Sequence, residues 1–61
     1  MTKKVFFTGT GSDQESAINN ANQKADSFLA LGNRTEISRQ LLQIDPHGSF
    51  FVALLELNFA S

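Results

Sequence analysis

Few side chains in this sequence could act as a nucleophile, a general base or a metal ligand. The chain has no cysteine and one histidine, His47, within the segment Asp45-Pro46-His47-Gly48. A general base needs a partner and a pocket, and a tetrahedral metal site needs several ligands at suitable spacing. No such combination of serine, histidine and carboxylates is recognisable. We therefore expect His47 to be a turn residue, and the protein to have no catalytic residues, no metal site and no enzymatic activity.

A second candidate for chemistry is the segment Gly9-Thr10-Gly11-Ser12, between a predicted strand and a predicted helix. Backbone N–H groups at a helix N-terminus can bind a phosphate or another anion. The segment resembles the start of a dinucleotide-binding motif, but the third glycine is missing and only one strand–helix unit follows. The pattern indicates either a tight turn with a helix cap or a modest anion site formed by these four residues.

The arginines offer a third candidate. Arg34 and Arg39, with Glu36 nearby, could line a ligand-binding groove between subunits. Arg39 could equally be a solvated or ion-paired strand residue, since surface ion pairs are common and weak. Both interpretations remain open from the sequence.

Composition narrows the classes of partner. Five Lys and Arg against six Asp and Glu give a net charge of −1, which provides no electrostatic footprint for nucleic acid. No stretch approaches the roughly 20 apolar residues that span a bilayer, and the N-terminus does not read as a signal peptide. We expect a cytoplasmic protein without a membrane or nucleic-acid partner. A 61-residue chain without disulfides is near the lower limit for independent folding, so oligomerisation is the expected support.

Hydrophobic periodicity predicts one domain over residues 1–61 with the order β-α-β-β. The first strand is expected at Lys3–Thr8 and the helix at Asp13–Leu31. The second strand is expected at Thr35–Asp45 and the third at Phe50–Ser61. The turn between them is expected at Asp45–Gly48, with proline at its second position and glycine at its fourth.

Local signals refine these elements. Ser12 with Glu15 three residues later predicts a capping box at the start of the helix, and Gly32 predicts its end. The apolar alternation of the second strand slips, which predicts a β-bulge near Arg39–Leu41.

The third strand organises the fold because both of its faces are apolar. Two strands joined through a helix run parallel with a right-handed connection, which leaves room for the third strand between them. We therefore predict an α+β fold, a three-stranded antiparallel sheet of order 1-3-2 with one helix on one face. One face of the third strand is uniformly apolar: Phe51, Ala53, Leu55, Leu57 and Phe59. The sequence leaves open which face of the sheet meets the helix, and a single helix covers only one of them. If the uniform row faces the helix, the uncovered face predicts a contact between copies of the chain through Phe6, Phe50, Val52 and Leu54, with Val5 and Phe7 replacing Phe6 if the first strand has the opposite phase.

Three short segments carry a resemblance to the dodecins, small β-α-β-β proteins that assemble into hollow dodecamers. They are T-G-T-G-S at Thr8–Ser12, S-A-I-N-N-A at Ser16–Ala21 and L-N-F at Leu57–Phe59. The resemblance implies the fold, the assembly and a small ligand, flavin in some members, held between subunits. The flavin-binding members stack the ring on a tryptophan, and this chain has none; Arg34 is the planar side chain in the corresponding region, Asn33–Glu36.

Together these features predict a non-enzymatic homo-oligomer that resembles dodecin and binds a small planar or anionic ligand between subunits. The alternative is an interaction or adaptor domain that uses its apolar sheet face to bind another protein.

Overall fold

The protein is described by a computed structural model that covers residues 1–60. Its elements are β1 (Thr2–Gly11), α1 (Gln14–Leu31), β2 (Thr35–His47) and β3 (Phe50–Ala60). Both outer strands pair antiparallel with β3, which gives the sheet order β1-β3-β2. The α+β fold and the strand order predicted from the sequence are confirmed. Ser61, placed in the last strand by the sequence, lies outside the described residues.

The core lies between α1 and one face of the sheet. The helix contributes three alanines at steps of four residues, and β3 contributes alternate residues of its apolar row. The buried residues are Ala17, Ala21, Ala25, Ala53, Leu55, Leu57 and Phe59. β3 alternates between its two faces as predicted, and the structure places the continuous apolar row against the helix, which the sequence had left open.

Glycine lets β1 approach the helix closely. A Cβ atom built on Gly9 would lie 2.3 Å from the carbonyl oxygen of Ala17 and 2.3 Å from the backbone nitrogen of Ala21. Because both are main-chain atoms, no side-chain rotation could make room. Gly9 and the small alanine stripe thus bring α1 directly onto β1.

The junction between β1 and α1 differs from the prediction in two ways. The strand continues through Gly9, Thr10 and Gly11 instead of ending at Thr8, because the two glycines remain extended and pack against the helix. The N-cap is Asp13, with φ −138° and ψ 174°, and its Oδ1 accepts a 2.7 Å hydrogen bond from the backbone nitrogen of Ser16. The predicted cap at Ser12 is therefore wrong by one residue, and Glu15 falls one position too early to complete a capping box.

The β2–β3 hairpin also turns later than predicted. His47 pairs with Phe50, so the turn consists of Gly48 and Ser49, with φ +65° at Gly48. A glycine with positive φ at the first central position suits the tight two-residue hairpin turns. Asp45 and Pro46 belong to β2, an edge strand, where the missing N–H of proline is tolerated.

β2 has two register shifts where the sequence predicted one bulge. The register shifts between Glu36 and Ser38, and again between Leu41 and Gln43. The extra residues are Ile37 and Leu42, on either side of the segment predicted to hold one bulge. The first bulge shifts the phase, so Arg39 and Leu41 lie opposite Leu57 and Leu55 of the helix-facing row of β3. The second bulge restores the original phase, so that Ile44 lies opposite Ala53.

Candidate functional site

The side of the sheet away from the helix carries apolar side chains that run from the hairpin along β3 and end at Phe6 on β1, which we call the outer patch (Phe6, Phe50, Val52 and Leu54). Phe50, Val52 and Leu54 alternate with the core residues of β3, and Phe6 alternates with the inward Val5 and Phe7 of β1. The side chains of Phe6 and Phe50 are 52% and 43% exposed. The structure thus places all four predicted interface residues on one face, uncovered by any part of the chain described here.

The other half of the same face is polar. Glu56 lies between Phe6 on β1 and Gln40 on β2, and its carboxylate is 3.8 Å from the Lys4 ammonium. The Asn58 side-chain amide donates 3.2 Å hydrogen bonds to Glu56 and to the Ser38 hydroxyl. The outer face is therefore apolar at the hairpin end of β3 and polar towards the other end.

Arg39 is on the helix side of β2 and joins that strand to α1. Its guanidinium donates to Glu36 at 2.6 and 3.1 Å, to Asp26 at 2.9 Å and to the Asn22 side-chain oxygen at 2.7 Å. These contacts, the hydrogen bonding to Glu36 foremost, raise the pKa of Arg39 above its ordinary value. The structure matches the ion-paired alternative of the sequence analysis, with Arg39 as the polar link between β2 and the helix.

Arg34 is folded back over the end of the core. Its guanidinium carbon is 4.0 Å from the centre of the Phe28 ring and 5.8 Å from that of Phe59, which are cation–π distances. One guanidinium nitrogen also donates a 2.8 Å hydrogen bond to the Phe28 carbonyl oxygen. Arg34 therefore covers the core near the C-terminal end of the helix. Arg34 and Arg39 have no contact partner in common among the described residues, so the structure does not bring the two arginines together in one site.

The glycine segment has structural partners. Gly9 and Gly11 pair with Ala53 and Phe51 of β3, and the Thr10 backbone nitrogen donates a 3.0 Å hydrogen bond to the Asn20 side chain. Ser12 is exposed between β1 and the helix cap. An anion at these residues stays a prediction, and it would have to use the first turn of the helix beyond the strand.

Asp13 gives that first turn its own negative charge. Its hydrogen bond from the Ser16 backbone nitrogen lowers the pKa of the Asp13 carboxyl from its ordinary value of 3.8. The N–H group that it accepts from is one that an incoming anion would otherwise use.

His47 is exposed beside the hairpin turn, and its ring stacks on Phe50 with centroids 5.8 Å apart. Over residues 1–60, no group of three histidine, cysteine or acidic residues could hold a metal ion. The described part of the chain has one helix, α1, and it is not long and apolar enough to cross a membrane.

A groove that the sequence analysis missed lies between β1 and α1. It has a volume of about 550 Å³, with apolar walls from Phe7, Phe28 and Leu31 and a polar rim that includes Asn20 and Lys24. We call it the β1–α1 groove. No local pattern in the sequence shows that this part of the helix lies beside an exposed edge of β1.

Two helix side chains close part of that strand edge. The Lys24 ammonium donates a 2.6 Å hydrogen bond to the Thr8 carbonyl oxygen, and Asn20 accepts from the Thr10 backbone nitrogen. Since β1 pairs with β3 on its other side, these bonds satisfy backbone groups that would otherwise be free.

Comparison with protein-family models, with curated protein sequences and with solved structures gave no match for this chain. The site must therefore be interpreted from its own geometry.

Proposed function

We propose that the protein is a non-enzymatic homo-oligomer whose copies associate through the outer patch, in the manner of the dodecins that its sequence resembles. Cavities between subunits would hold a small planar or anionic ligand. We further propose a cytoplasmic location, which fractionation of expressing cells would test. The exposed outer patch is the observation that carries the proposal.

The proposal is supported by where the apolar side chains lie. Soluble monomers rarely leave contiguous apolar patches open to water, and such patches mark interaction surfaces. Phe6 and Phe50 are large, and both are about half exposed. Aromatic residues that are half exposed in one chain are typical of interface centres, where they add contact area at little entropic cost.

The experiment is sedimentation equilibrium at micromolar concentration on the wild type, on Phe6→Lys and on Gln40→Lys. Phe6 and Gln40 are both directly across from Glu56, one on each side of β3. Either lysine therefore gains the same cross-strand acidic partner, and neither should unfold the chain. Only Phe6→Lys places a charge in the outer patch.

We expect the wild type and Gln40→Lys to sediment as the same oligomer and Phe6→Lys to shift towards the monomer. A wild type that is a stable monomer would end the proposal. Assembly that is indifferent to Phe6→Lys would move the interface away from the outer patch. A weak dimer that recovers a heterologous protein in a pull-down would support the adaptor alternative instead.

Ligand binding is tested separately with FMN and riboflavin. If cavities between subunits accept a planar ring, flavin fluorescence should be quenched by the oligomer and not by Phe6→Lys. Without quenching, the resemblance to dodecin is confined to the fold.

A further inference from the structure

We propose that the β1–α1 groove binds a small aromatic anion, with its ring against Phe7, Phe28 and Leu31 and its charged group at Lys24. The groove has a volume of about 550 Å³ and is largely open to solvent, so it would cover one side of a small ring and leave the other in water. Leu31 is 88% exposed at the end of the helix, so an occupant would cover an apolar side chain that this chain leaves in water. This is a site within one subunit, distinct from cavities between subunits.

The walls favour an aromatic ring. The rings of Phe7 and Phe28 meet edge to face, with centroids 5.5 Å apart and planes at 63°. Aromatic pairs of this geometry can be extended by a further ring, which again prefers an offset or edge contact. Leu31 supplies a side chain that can adjust to the thickness of the ring.

The charge of the rim favours an anion. None of the seven lining residues is acidic, and Lys24 is the one cation among them. An ammonium has three donors, and Lys24 spends one on the Thr8 carbonyl oxygen. The Arg34 guanidinium lies 4.0 Å from the centre of the Phe28 ring but does not line the groove, and it donates to the Phe28 carbonyl oxygen. The guanidinium of Arg39 is held by the carboxylates of Glu36 and Asp26.

The occupant is a small molecule and not an added β-strand. A strand that extends the sheet must bond the free backbone groups of the edge strand. Beside the groove, Lys24 already bonds the Thr8 carbonyl oxygen and Asn20 already bonds the Thr10 backbone nitrogen. A strand would have to displace both bonds, whereas a ligand would use the remaining donors of Lys24.

Isothermal titration calorimetry with 2-naphthoate and with its uncharged analogue naphthalene-2-carboxamide tests this inference. We expect the wild type to bind the carboxylate about fivefold more tightly than the amide, the effect of one solvent-exposed ion pair. Lys24→Gln should abolish that preference and Lys24→Arg should keep it. Lys3→Gln removes the same charge at a position that does not line the groove, and should change nothing.

A second variant tests the apolar wall. Leu31→Glu places a negative charge at a highly exposed position, so the fold should be retained, and we expect it to weaken naphthoate binding more than amide binding. Equal affinity of the wild type for the two ligands would refute the inference, as would a preference that survives in Lys24→Gln. Absence of binding at about 1 mM, the weak end of specific recognition, would also refute it.

Ligand binding in the β1–α1 groove and assembly through the outer patch are tested independently of each other. Phe6→Lys should bind naphthoate as the wild type does, because Phe6 does not line the groove. Lys24→Gln should leave the sedimentation mass unchanged. A monomeric wild type that binds naphthoate would overturn the assembly alone, and an oligomer without the charge preference would overturn the groove alone.

Discussion

Replacing Gly9 with alanine should destabilise the protein more than its size suggests. The added methyl group would lie 2.3 Å from main-chain atoms of both Ala17 and Ala21, about 1 Å short of the 3.4 Å at which ordinary contact begins. Because main-chain atoms of a helix cannot move singly, α1 as a whole must shift away from β1. That shift loosens the alanine stripe against the core row of β3.

The magnitude follows from two opposing effects. Overpacking of a well-packed contact costs about 1 to 3 kcal/mol, and the backbone partners place Gly9→Ala at the upper end. Alanine in a strand regains about 0.5 to 1 kcal/mol relative to glycine. A net loss of about 2 kcal/mol is large for a chain of this length, whose total stability is expected at about 3 to 9 kcal/mol.

Urea unfolding followed by far-ultraviolet circular dichroism measures this loss. With a slope of about 1 kcal/mol per molar urea, the midpoint should fall by about 2 M. Gly32→Ala is the comparison in which only a side chain must move, because its added methyl group would displace the Arg34 guanidinium from Phe28. It should therefore also lose stability, but less than Gly9→Ala, since the main chain of α1 can stay in place. All proteins are compared at one concentration, since the proposed association would contribute to stability. A Gly9→Ala midpoint within about 0.5 M of the wild type would refute the close-packing argument.

Two further predictions concern polar groups. Asp13 has a lowered pKa in the folded protein, so its contribution to stability is present above its ordinary pKa of 3.8 and is lost as the pH falls through the folded value. When stability is measured against pH, the wild type and Asp13→Asn should therefore converge as the pH falls, because the neutral amide still caps the helix. A difference that stays constant with pH would contradict this. Arg39→Lys should lower the free energy of unfolding in urea by about 1 to 2 kcal/mol, nearly as much as Arg39→Met. The reason is that an ammonium cannot reproduce the hydrogen bonds of the guanidinium to Glu36, Asp26 and Asn22. Full stability in Arg39→Lys would show that a positive charge alone is sufficient.

The sequence was sufficient for the order of the elements and for the position of β3. The deciding feature was the apolar character of both faces of β3, combined with a helix that could cover only one of them. The sequence left open which of the two faces meets the helix, and the structure decides it by burying Ala53, Leu55, Leu57 and Phe59 of the uninterrupted row. These are patterns with a period of two, which survive any small error in strand ends.

Local signals were less reliable where two residues could serve the same purpose. Ser12 and Asp13 are both good N-cap residues. Which of them caps the helix depends on where β1 ends, and the packing of Gly9 and Gly11 against α1 extends the strand to Gly11 and leaves Asp13 as the cap. Likewise Pro46 suits either a turn or an edge strand, and only the pairing of β2 with β3 separates the two. The groove depends on distant residues meeting, so no local pattern could predict it.

The width of α1 also bears on the proposed assembly, because it limits how much of the sheet the helix can cover. Adjacent strands are about 4.8 Å apart and a helix is about 10 Å wide, so a helix seated on β1 and β3 cannot also cover β2. Leu41 illustrates this, since it lies opposite the core residue Leu55 and is nevertheless 39% exposed. Apolar surface is therefore left uncovered on both sides of the sheet. A two-fold contact through the outer patch would cover only one side, so an assembly that satisfies both surfaces needs more than two copies of the chain.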